Sequence, residues 1–318
     1  MKKRHWIAGI SAIAAAGVAA KLLLRPHDVE WDKNREFIFH ADRSRFVEVN
    51  GVPVHYQEAG DSNSPPMILI HGFASSNLVW SKVLLGFADA GFRVIAPDLP
   101  GYGYSGKPRD FDYTISSQAA MVFGFLKQLG IERTLMVGSS YGGAVAATIA
   151  LDQPALIEKL ILVGAVTNNK PTRYMLMRLF GSPVIGDILS PLLAGSLTLV
   201  RRRMKRVYDR HEWVLDEKRV QARHLPLRTR GTHRAIIRTV RRWDADRVSR
   251  DAHLISQPTM VMWGENDREV PLRDGEKIHQ EIPNSRLIVF RECGHIPHEE
   301  YPERFIEVVS EFLKKSDE

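Results

Sequence analysis

One serine in the middle of the chain lies in a sequence pattern that favours nucleophilic chemistry. Ser140 is the central residue of Gly138-Ser139-Ser140-Tyr141-Gly142, which follows an apolar run and precedes a helical pattern. Glycines at both ends permit a sharp, strained turn between a strand and a helix, because side chains there would collide with neighbouring backbone. Such a turn exposes the hydroxyl at a helix N-terminus, where free N–H groups favour developing negative charge. The pattern therefore predicts a serine nucleophile.

A serine nucleophile needs a base and an acid, since its hydroxyl is too weak an acid to attack a carbonyl unaided. His295 and Asp267 each follow a short apolar run late in the chain. His295 would accept the serine proton, and Asp267 would hold the imidazole in the right tautomer and stabilise its cation. Glu265 and Asp98 are alternative acids, and His298 is an alternative base.

Short apolar runs of strand length recur along the chain and alternate with helical patterns such as 116–129 and 142–152. Several of these runs lack polar alternation, which is typical of strands buried on both faces of a parallel sheet. The sequence therefore predicts an α/β fold with a doubly wound, mostly parallel sheet. The predicted strands are Met67 to Ile70, Arg93 to Ala96, Thr134 to Val137, Leu160 to Val163, Thr259 to Trp263 and Leu287 to Phe290.

The strand–helix rhythm divides the chain into a core and an insertion. The core is predicted over 46–166 and 258–318, and it begins with a β-hairpin that turns at Asn50-Gly51. The interval 167–257 has no such rhythm and is predicted to form a helical cap over the sheet. It contains an apolar stripe at helical spacing within 184–193 and the basic cluster 201–206.

The N-terminal segment 1–27 is apolar after a basic start, and a charged connector follows over 28–45. The apolar segment predicts a transmembrane anchor or a cleaved signal peptide, with a soluble helix as the remaining alternative. We therefore expect a membrane-associated protein. Export after signal cleavage and a cytoplasmic location are the alternatives.

Charge and composition exclude some classes of function. The chain has 318 residues, 44% of them hydrophobic, and a formal net charge of +7. The basic excess belongs to 170–250, which holds about 20 Lys and Arg against about 7 Asp and Glu. No nucleic-acid-binding motif accompanies it, so we expect no nucleic-acid partner. The single cysteine, Cys293, excludes an intramolecular disulfide framework.

Several motifs in order resemble the α/β-hydrolase family from about Val47 to Leu313. The resemblance implies an α/β-hydrolase fold in which Ser140, Asp267 and His295 meet at the carboxyl ends of the strands. The family's spacing favours Asp267 and His295 over the alternative acids and base. The motifs are Gly138 to Gly142, His71-Gly72-Phe73, Asp98 to Ser105, Gly264 to Asp267 and Cys293-Gly294-His295.

The resemblance also implies how the reaction's oxyanion would be bound. By analogy with the family, the backbone N–H groups of Phe73 and Tyr141 would form the oxyanion hole, and His71 would shape the loop that carries Phe73. The stretch His295 to Glu300 has the composition of a metal site, but Pro297 opposes the helical face that such a site requires. Neither a metal nor a cofactor is implied.

We expect this chain to hydrolyse a carboxylic ester through an acyl-serine, as an esterase or lipase acting on a small-molecule ester or lipid. Contact with a membrane surface through the N-terminus and the basic cap would accompany a lipid substrate. Epoxide hydrolases and haloalkane dehalogenases have similar motifs but use aspartate as the nucleophile, so Ser140 argues against both.

Two other functions stay open. One is hydrolysis of C–C bonds in ring-fission products of aromatic catabolism, although those enzymes commonly have a longer glycine-rich oxyanion loop than the one that begins at His71. The other is a non-catalytic ligand-binding member of the fold. The sequence leaves the oligomeric state open.

Overall fold

The computed structural model describes residues 30–169, 181–182, 195–209 and 215–314. The predicted N-terminal segment 1–27 and the apolar stripe within 184–193 lie outside the described residues. The connector 28–45 is described from residue 30 onward and consists largely of two short 3-10 turns.

The described strands form one eight-stranded sheet in the order β1-β2-β4-β3-β5-β6-β7-β8. The pairs β1–β2 and β2–β4 are antiparallel, and every other neighbouring pair is parallel. The prediction of a doubly wound, mostly parallel sheet is confirmed. The strands are β1 (Ser44–Val49), β2 (Val52–Ala59), β3 (Pro66–Ile70), β4 (Arg93–Pro97), β5 (Thr134–Ser139), β6 (Ile157–Val163), β7 (Thr259–Gly264) and β8 (Ser285–Phe290).

Helices of the described residues flank the sheet and cover its carboxyl ends. They are α1 (Leu84–Asp89), α2 (Ile115–Gln128), α3 (Tyr141–Asp152), α4 (Leu197–Val207), α5 (Glu217–Leu227), α6 (Thr232–Arg241), α7 (Asp246–Asp251), α8 (Leu272–Glu281), α9 (Pro297–Glu300) and α10 (Pro302–Lys314). Helices α4 to α6 lie within the predicted cap interval. Helix α7 also falls in that interval, yet its Val248 belongs to the core cluster that includes α3.

The central strands send alternate side chains into two separate cores. In β3, Ile68 and Ile70 pack into the core beside α2 and α3, whereas Met67 and Leu69 pack into the core beside α1 and α10. All four are fully buried. Burial on both faces explains why the central strands are apolar without alternation.

The first hairpin turns where the sequence predicts it. Asn50 and Gly51 both have positive φ angles, 50° and 76°, as a tight two-residue turn with the twist of the flanking strands requires. Strand β1 begins at Ser44 rather than at 46, because Ser44 still pairs with Gln57 of β2.

The sequence predicted a transmembrane helix and therefore a membrane-associated protein. In the described part of the structure this prediction is wrong. No helix among the described residues is both long enough and apolar enough to cross a bilayer. The most apolar one, α3, has 12 residues, whereas a span needs about 20 at 1.5 Å per residue. The segment that prompted the prediction, 1–27, is outside the described residues.

The turn between β5 and α3 passes closer to neighbouring backbone than a side chain would permit. A Cβ atom on Gly138 would lie 2.3 Å from the carbonyl oxygen of Gly142, and one on Gly142 would lie 2.3 Å from that of Ile70. Backbone atoms cannot yield as a flexible side chain does, so both positions require glycine.

Replacing Gly142 with alanine tests this close approach. We expect Gly142→Ala to lower the free energy of unfolding by about 3 kcal/mol, since the added methyl group overpacks a rigid site. Urea unfolding followed by circular dichroism measures the change. Gly181→Ala is the matched control, because its Cβ would meet no atom closer than 3.4 Å. Equal stability of the two variants would contradict the account.

Candidate active site

Ser140 occupies a strained backbone position at the end of β5. Its φ of 56° and ψ of −120° define a backbone conformation that residues other than glycine rarely adopt. Two backbone hydrogen bonds fix it there: its N–H donates to Val163 at 2.8 Å, and its carbonyl accepts from Val166 at 3.0 Å. The end of β6 and the residues just after it therefore hold the serine in place. Ser140 is partly exposed.

Asp267 and His295 form a close pair on the loops that follow β7 and β8. The Nδ1 atom of His295 lies 2.7 Å from Oδ2 of Asp267, and the two side chains are 8% and 0% exposed. The other carboxylate oxygen, Oδ1, accepts the backbone N–H groups of Glu269 at 2.8 Å and Val270 at 2.9 Å. The carboxylate is therefore fixed on one side and directed at the imidazole on the other, so that Nδ1 donates.

The segment that holds Ser140 also faces this pair. Gly164 lies between the two residues that bond to the serine backbone, and a Cβ atom there would be 3.1 Å from Nδ1 of His295 and 3.2 Å from Oδ2 of Asp267. Among the described residues, Oγ of Ser140 has no hydrogen-bond partner. Bonds between nucleophile and base are often long in unliganded sites and tighten when substrate binds.

Two backbone N–H groups flank the serine hydroxyl. Tyr141 is the first residue of α3, and Phe73 follows Gly72, where a Cβ atom would lie 3.5 Å from Oγ of Ser140. Neither N–H donates a hydrogen bond within the described part of the chain. Free donors beside the nucleophile can bind the negative oxygen that forms on attack.

His71 supports the loop that carries Phe73. Its Nδ1 donates to the carbonyl of Gly72 at 2.8 Å, and its Nε2 accepts the N–H of Leu99 at 3.0 Å. Burial lowers the pKa of His71, despite the nearby charge of Asp98. A neutral imidazole with both nitrogens occupied holds the loop and has no proton to exchange with a substrate.

The structure places the alternative acids and the alternative base elsewhere. Asp98 lies 2.7 Å from His55, and Glu265 is exposed. His298 is fully buried and stacks on Trp80, with ring centres 4.3 Å apart. Burial lowers the pKa of His298 to about 3, so this ring stays neutral and is a poor base.

The surroundings of His295 act on its pKa in opposite directions. Burial lowers it, but the charge of Asp267 and the hydrogen bond to that carboxylate raise it, with a further contribution from Glu269. Arg203 opposes them. The net effect raises the pKa above its usual value, which suits a base that must hold a proton during the reaction.

Arg203 is a site residue that the sequence did not single out. It belongs to the basic cluster on α4, and its guanidinium carbon lies 5.9 Å from the centre of the Phe73 ring. The side chain is accessible to water, yet the surrounding protein lowers its pKa. Arg203 therefore lies beside Phe73 and close enough to His295 for its charge to act on that imidazole. No sequence signal separates Arg203 from the other arginines of its cluster.

A cluster of aromatic rings beside the N–H groups of Phe73 and Tyr141 was also missed by the sequence analysis. The ring of Trp243, from the segment after α6, lies 5.5 Å from that of Tyr141 and 5.8 Å from that of Phe73. Tyr102 packs against Phe73 from another side at 6.3 Å. Aromatic rings from within 167–257 and from the loops of the sheet therefore pack together next to the turn that carries Ser140.

Titration of His295 tests the electrostatics of the site. We expect Asp267→Asn to lower the pKa of His295 below its usual value, because burial then acts without the opposing charge. Arg203→Met should raise it instead, because a repelling cation is removed. NMR titration of the ring carbon protons measures both pKa values in protein that need not be active. Shifts of the same sign would contradict the arrangement.

Comparisons with known proteins agree with the fold and the order of the motifs. Residues 65–302 match the family described as alpha/beta hydrolase fold. An uncharacterized hydrolase of Bacillus subtilis (strain 168), YugF, is 30% identical over 275 residues, which are 85% of this chain and 97% of that protein. A 2-hydroxy-6-oxononadienedioate/2-hydroxy-6-oxononatrienedioate hydrolase of Pseudomonas sp is 30% identical over 301 residues, 87% of this chain and 99% of that protein.

A solved structure has the same fold over most of the chain. A meta-cleavage product hydrolase from Pseudomonas fluorescens IP01 superposes with a TM-score of 0.74 at 23% identity, covering 86% of this chain and 98% of that one. At this identity the likeness shows the fold alone. The family match, the curated relatives and the sheet topology confirm the resemblance seen in the sequence. This chain belongs to the α/β-hydrolase family and is a hydrolase of that fold.

Proposed function

We propose that this chain is a serine hydrolase in which Ser140 is the nucleophile, His295 the base and Asp267 the acid that orients the base. The observation that carries the proposal is the 2.7 Å contact between His295 and Asp267, on loops that face the strained turn of Ser140. The free N–H groups of Phe73 and Tyr141 would bind the oxyanion. Each such donor contributes about 3 kcal/mol to lowering the barrier.

The reaction would proceed in two balanced halves. As Oγ of Ser140 bonds to a carbonyl carbon, its proton passes to His295. The bond from that carbon to the leaving group then breaks, and the leaving group takes the bond's electron pair and the proton from His295. Water attacks the acyl-serine in the same way, with His295 again as base, and the acid product leaves as Ser140 regains its proton.

For the substrate, we favour a carbon–carbon bond next to a ketone over the carboxylic ester expected from the sequence. The relative described above is named for a 2-hydroxy-6-oxononadienedioate, a conjugated chain with a ketone and two carboxylates. The charge of Arg203 beside Phe73 suits a carboxylate, and the rings of Phe73, Tyr141 and Trp243 suit a flat conjugated chain.

The conjugation of such a substrate makes carbon a workable leaving group. Such a substrate must first become a diketone: its 2-hydroxyl loses a proton and the carbon next to the 6-ketone gains one, with His295 relaying the proton. After Ser140 attacks the 6-ketone, the bond between the carbonyl carbon and its now tetrahedral neighbour breaks, and the electron pair spreads over the adjoining C=C bond and the 2-ketone as a dienolate. His295 returns a proton to this carbanion, and the acyl-serine remains for water to cleave. The chemistry therefore needs only the groups already placed at the site.

Ester hydrolysis is the second candidate because of the oxyanion loop. The stretch from His71 to Ser76 has a single glycine, Gly72, where C–C bond hydrolases commonly have a longer glycine-rich loop. An ester also has a better leaving group than a carbon chain, so the same three side chains would serve it. The two candidates differ in the leaving group, which a substrate panel separates.

Removing the nucleophile tests the proposal. We expect Ser140→Ala to lower kcat by about 10⁴-fold or more on whichever substrate the wild type accepts, a 2-hydroxy-6-oxo-dienedioate or a p-nitrophenyl ester. Spectrophotometric assays follow both reactions. Ser139→Ala, which changes the buried neighbouring serine, should retain most of the activity. Folded wild type that hydrolyses neither class would contradict the proposed substrates and favour a non-catalytic binding member of the fold.

Arg203 separates acidic from neutral substrates. A charge-assisted hydrogen bond contributes about 1.5–3 kcal/mol, so Arg203→Met should lower kcat/KM for the diacid by about 10- to 100-fold. For a neutral ester the change should be less than about threefold. Arg202→Met, at an exposed neighbour on α4, is the matched control. Equal losses on both substrates would show that Arg203 does not bind the carboxylate.

A further inference from the structure

A short segment at the end of α4, Arg206 to Asp209, contacts both loops that carry the acid and the base. We call this segment the cap strap. The loop 266–269, which contains Asp267, is called the acid loop. The stretch 294–300, in which the loop that contains His295 leads into α9, is called the base loop. The strap comes from the insertion, whereas both loops come from the core.

The strap first contacts the base loop at its histidine. The backbone N–H of His295 donates to the carbonyl of Val207 at 2.7 Å. One residue later, the hydroxyl of Tyr208 donates to the carboxylate of Glu299. Tyr208 and Glu299 are both fully buried, so the strap is joined to the base loop by a main-chain bond and by a side-chain bond out of contact with water.

The charge of Glu299 is balanced from the cap. Arg223 and Arg219 of α5 lie 3.0 Å and 3.5 Å from its carboxylate. Burial alone would raise the pKa of Glu299, but the two arginines and the Tyr208 hydroxyl outweigh it and lower the pKa. Glu299 therefore stays ionised and accepts the hydroxyl of Tyr208 strongly.

Asp209 then joins the strap to both loops. Its backbone N–H donates to the carboxylate of Glu300 in the base loop at 3.0 Å. Its carboxylate accepts the side-chain amide of Asn266 at 2.8 Å and lies 3.3 Å from the guanidinium of Arg268. Asn266 and Arg268 are the residues immediately before and after the catalytic carboxylate.

Arg206 adds a second attachment to the acid loop. Its guanidinium donates to the carboxylate of Glu269 at 2.7 Å and to the carbonyl of Arg268 at 3.1 Å. Glu269 also supplies one of the N–H groups that fix Asp267. Four residues of the cap therefore span the gap between the loops on which the acid–base pair depends.

We propose that the cap strap positions the Asp267–His295 pair, with Asp209 and Tyr208 as its positioning residues. The inference rests on the proposed function for the roles of the pair. Because α4 also carries Arg203, one turn before the strap, a substrate carboxylate bound there is coupled through one rigid helix to the geometry of the base. Binding of a substrate carboxylate at Arg203 and alignment of the imidazole are then coupled.

Asp209→Ala tests the strap by removing the side chain that accepts from Asn266 and lies beside Arg268 in the acid loop. We expect kcat to fall about 10- to 100-fold, since a misplacement of about 1 Å costs about that much, while KM changes less than about twofold. The His295 Nδ1 proton, read by its low-field NMR signal, should exchange with water about tenfold faster, as a loosened bond to Asp267 allows. In Asp209→Asn the side-chain oxygen can still accept from Asn266, so kcat and the proton exchange rate should both return most of the way to their wild-type values.

Asp112→Ala is the matched control for a purely structural role of the cap. Asp112 pairs with Arg242 at the end of α6 and so joins cap to core without contact with either loop. This variant should leave kcat and the proton signal as in wild type. If it lowers kcat as far as Asp209→Ala does, or if Asp209→Ala changes neither kcat nor the signal, the strap does not position the pair.

Tyr208→Phe keeps the test decisive if Asp209→Ala fails to fold. It removes the hydroxyl that donates to Glu299 in the buried contact. Like Asp209→Ala, it should lower kcat and make the His295 Nδ1 proton exchange faster. The NMR signal needs no turnover, so it separates the two proposals. Fast exchange in the variants of a wild type that hydrolyses nothing would support the strap and overturn the proposed function.

Discussion

The structure depends on holding a buried carboxylate beside a buried imidazole, where water scarcely reaches either. Burying a charge costs several kcal/mol unless hydrogen bonds replace its water. Asp267 accepts three, two from its own loop and one from His295. This cost explains why two short loops receive so many contacts. The loops follow neighbouring strands of the sheet, and the cap strap is hydrogen-bonded to both of them.

The sheet explains why the serine faces this pair. Strands β5, β6, β7 and β8 are neighbours in parallel order, so the loops at their carboxyl ends emerge side by side. The glycines of the turn after β5 let α3 approach β3, and the resulting strained serine is fixed by the end of β6. Strain, close approach and strand order therefore act together to place one hydroxyl, one imidazole and one carboxylate at one edge.

Sequence reasoning succeeded where the controlling physics is local. Apolar runs predicted the central strands because burial on both faces demands them, and Asn50-Gly51 predicted the hairpin because few residues accept its φ angles. It missed Arg203, Trp243 and Asp209 because their roles arise from contacts between the insertion and the core, far apart in sequence. The membrane expectation failed because it rested on composition in 1–27, and no described helix supplies a span.

The central claim is that Ser140, His295 and Asp267 act as one unit. The most direct test is a crystal structure of the protein after reaction with a fluorophosphonate. We expect phosphorus bonded to Oγ of Ser140, one phosphonyl oxygen within hydrogen-bonding distance of the N–H groups of Phe73 and Tyr141, and His295 still paired with Asp267. Phosphorus on another residue, or an adduct oxygen that His295 and both N–H groups fail to reach, would contradict it.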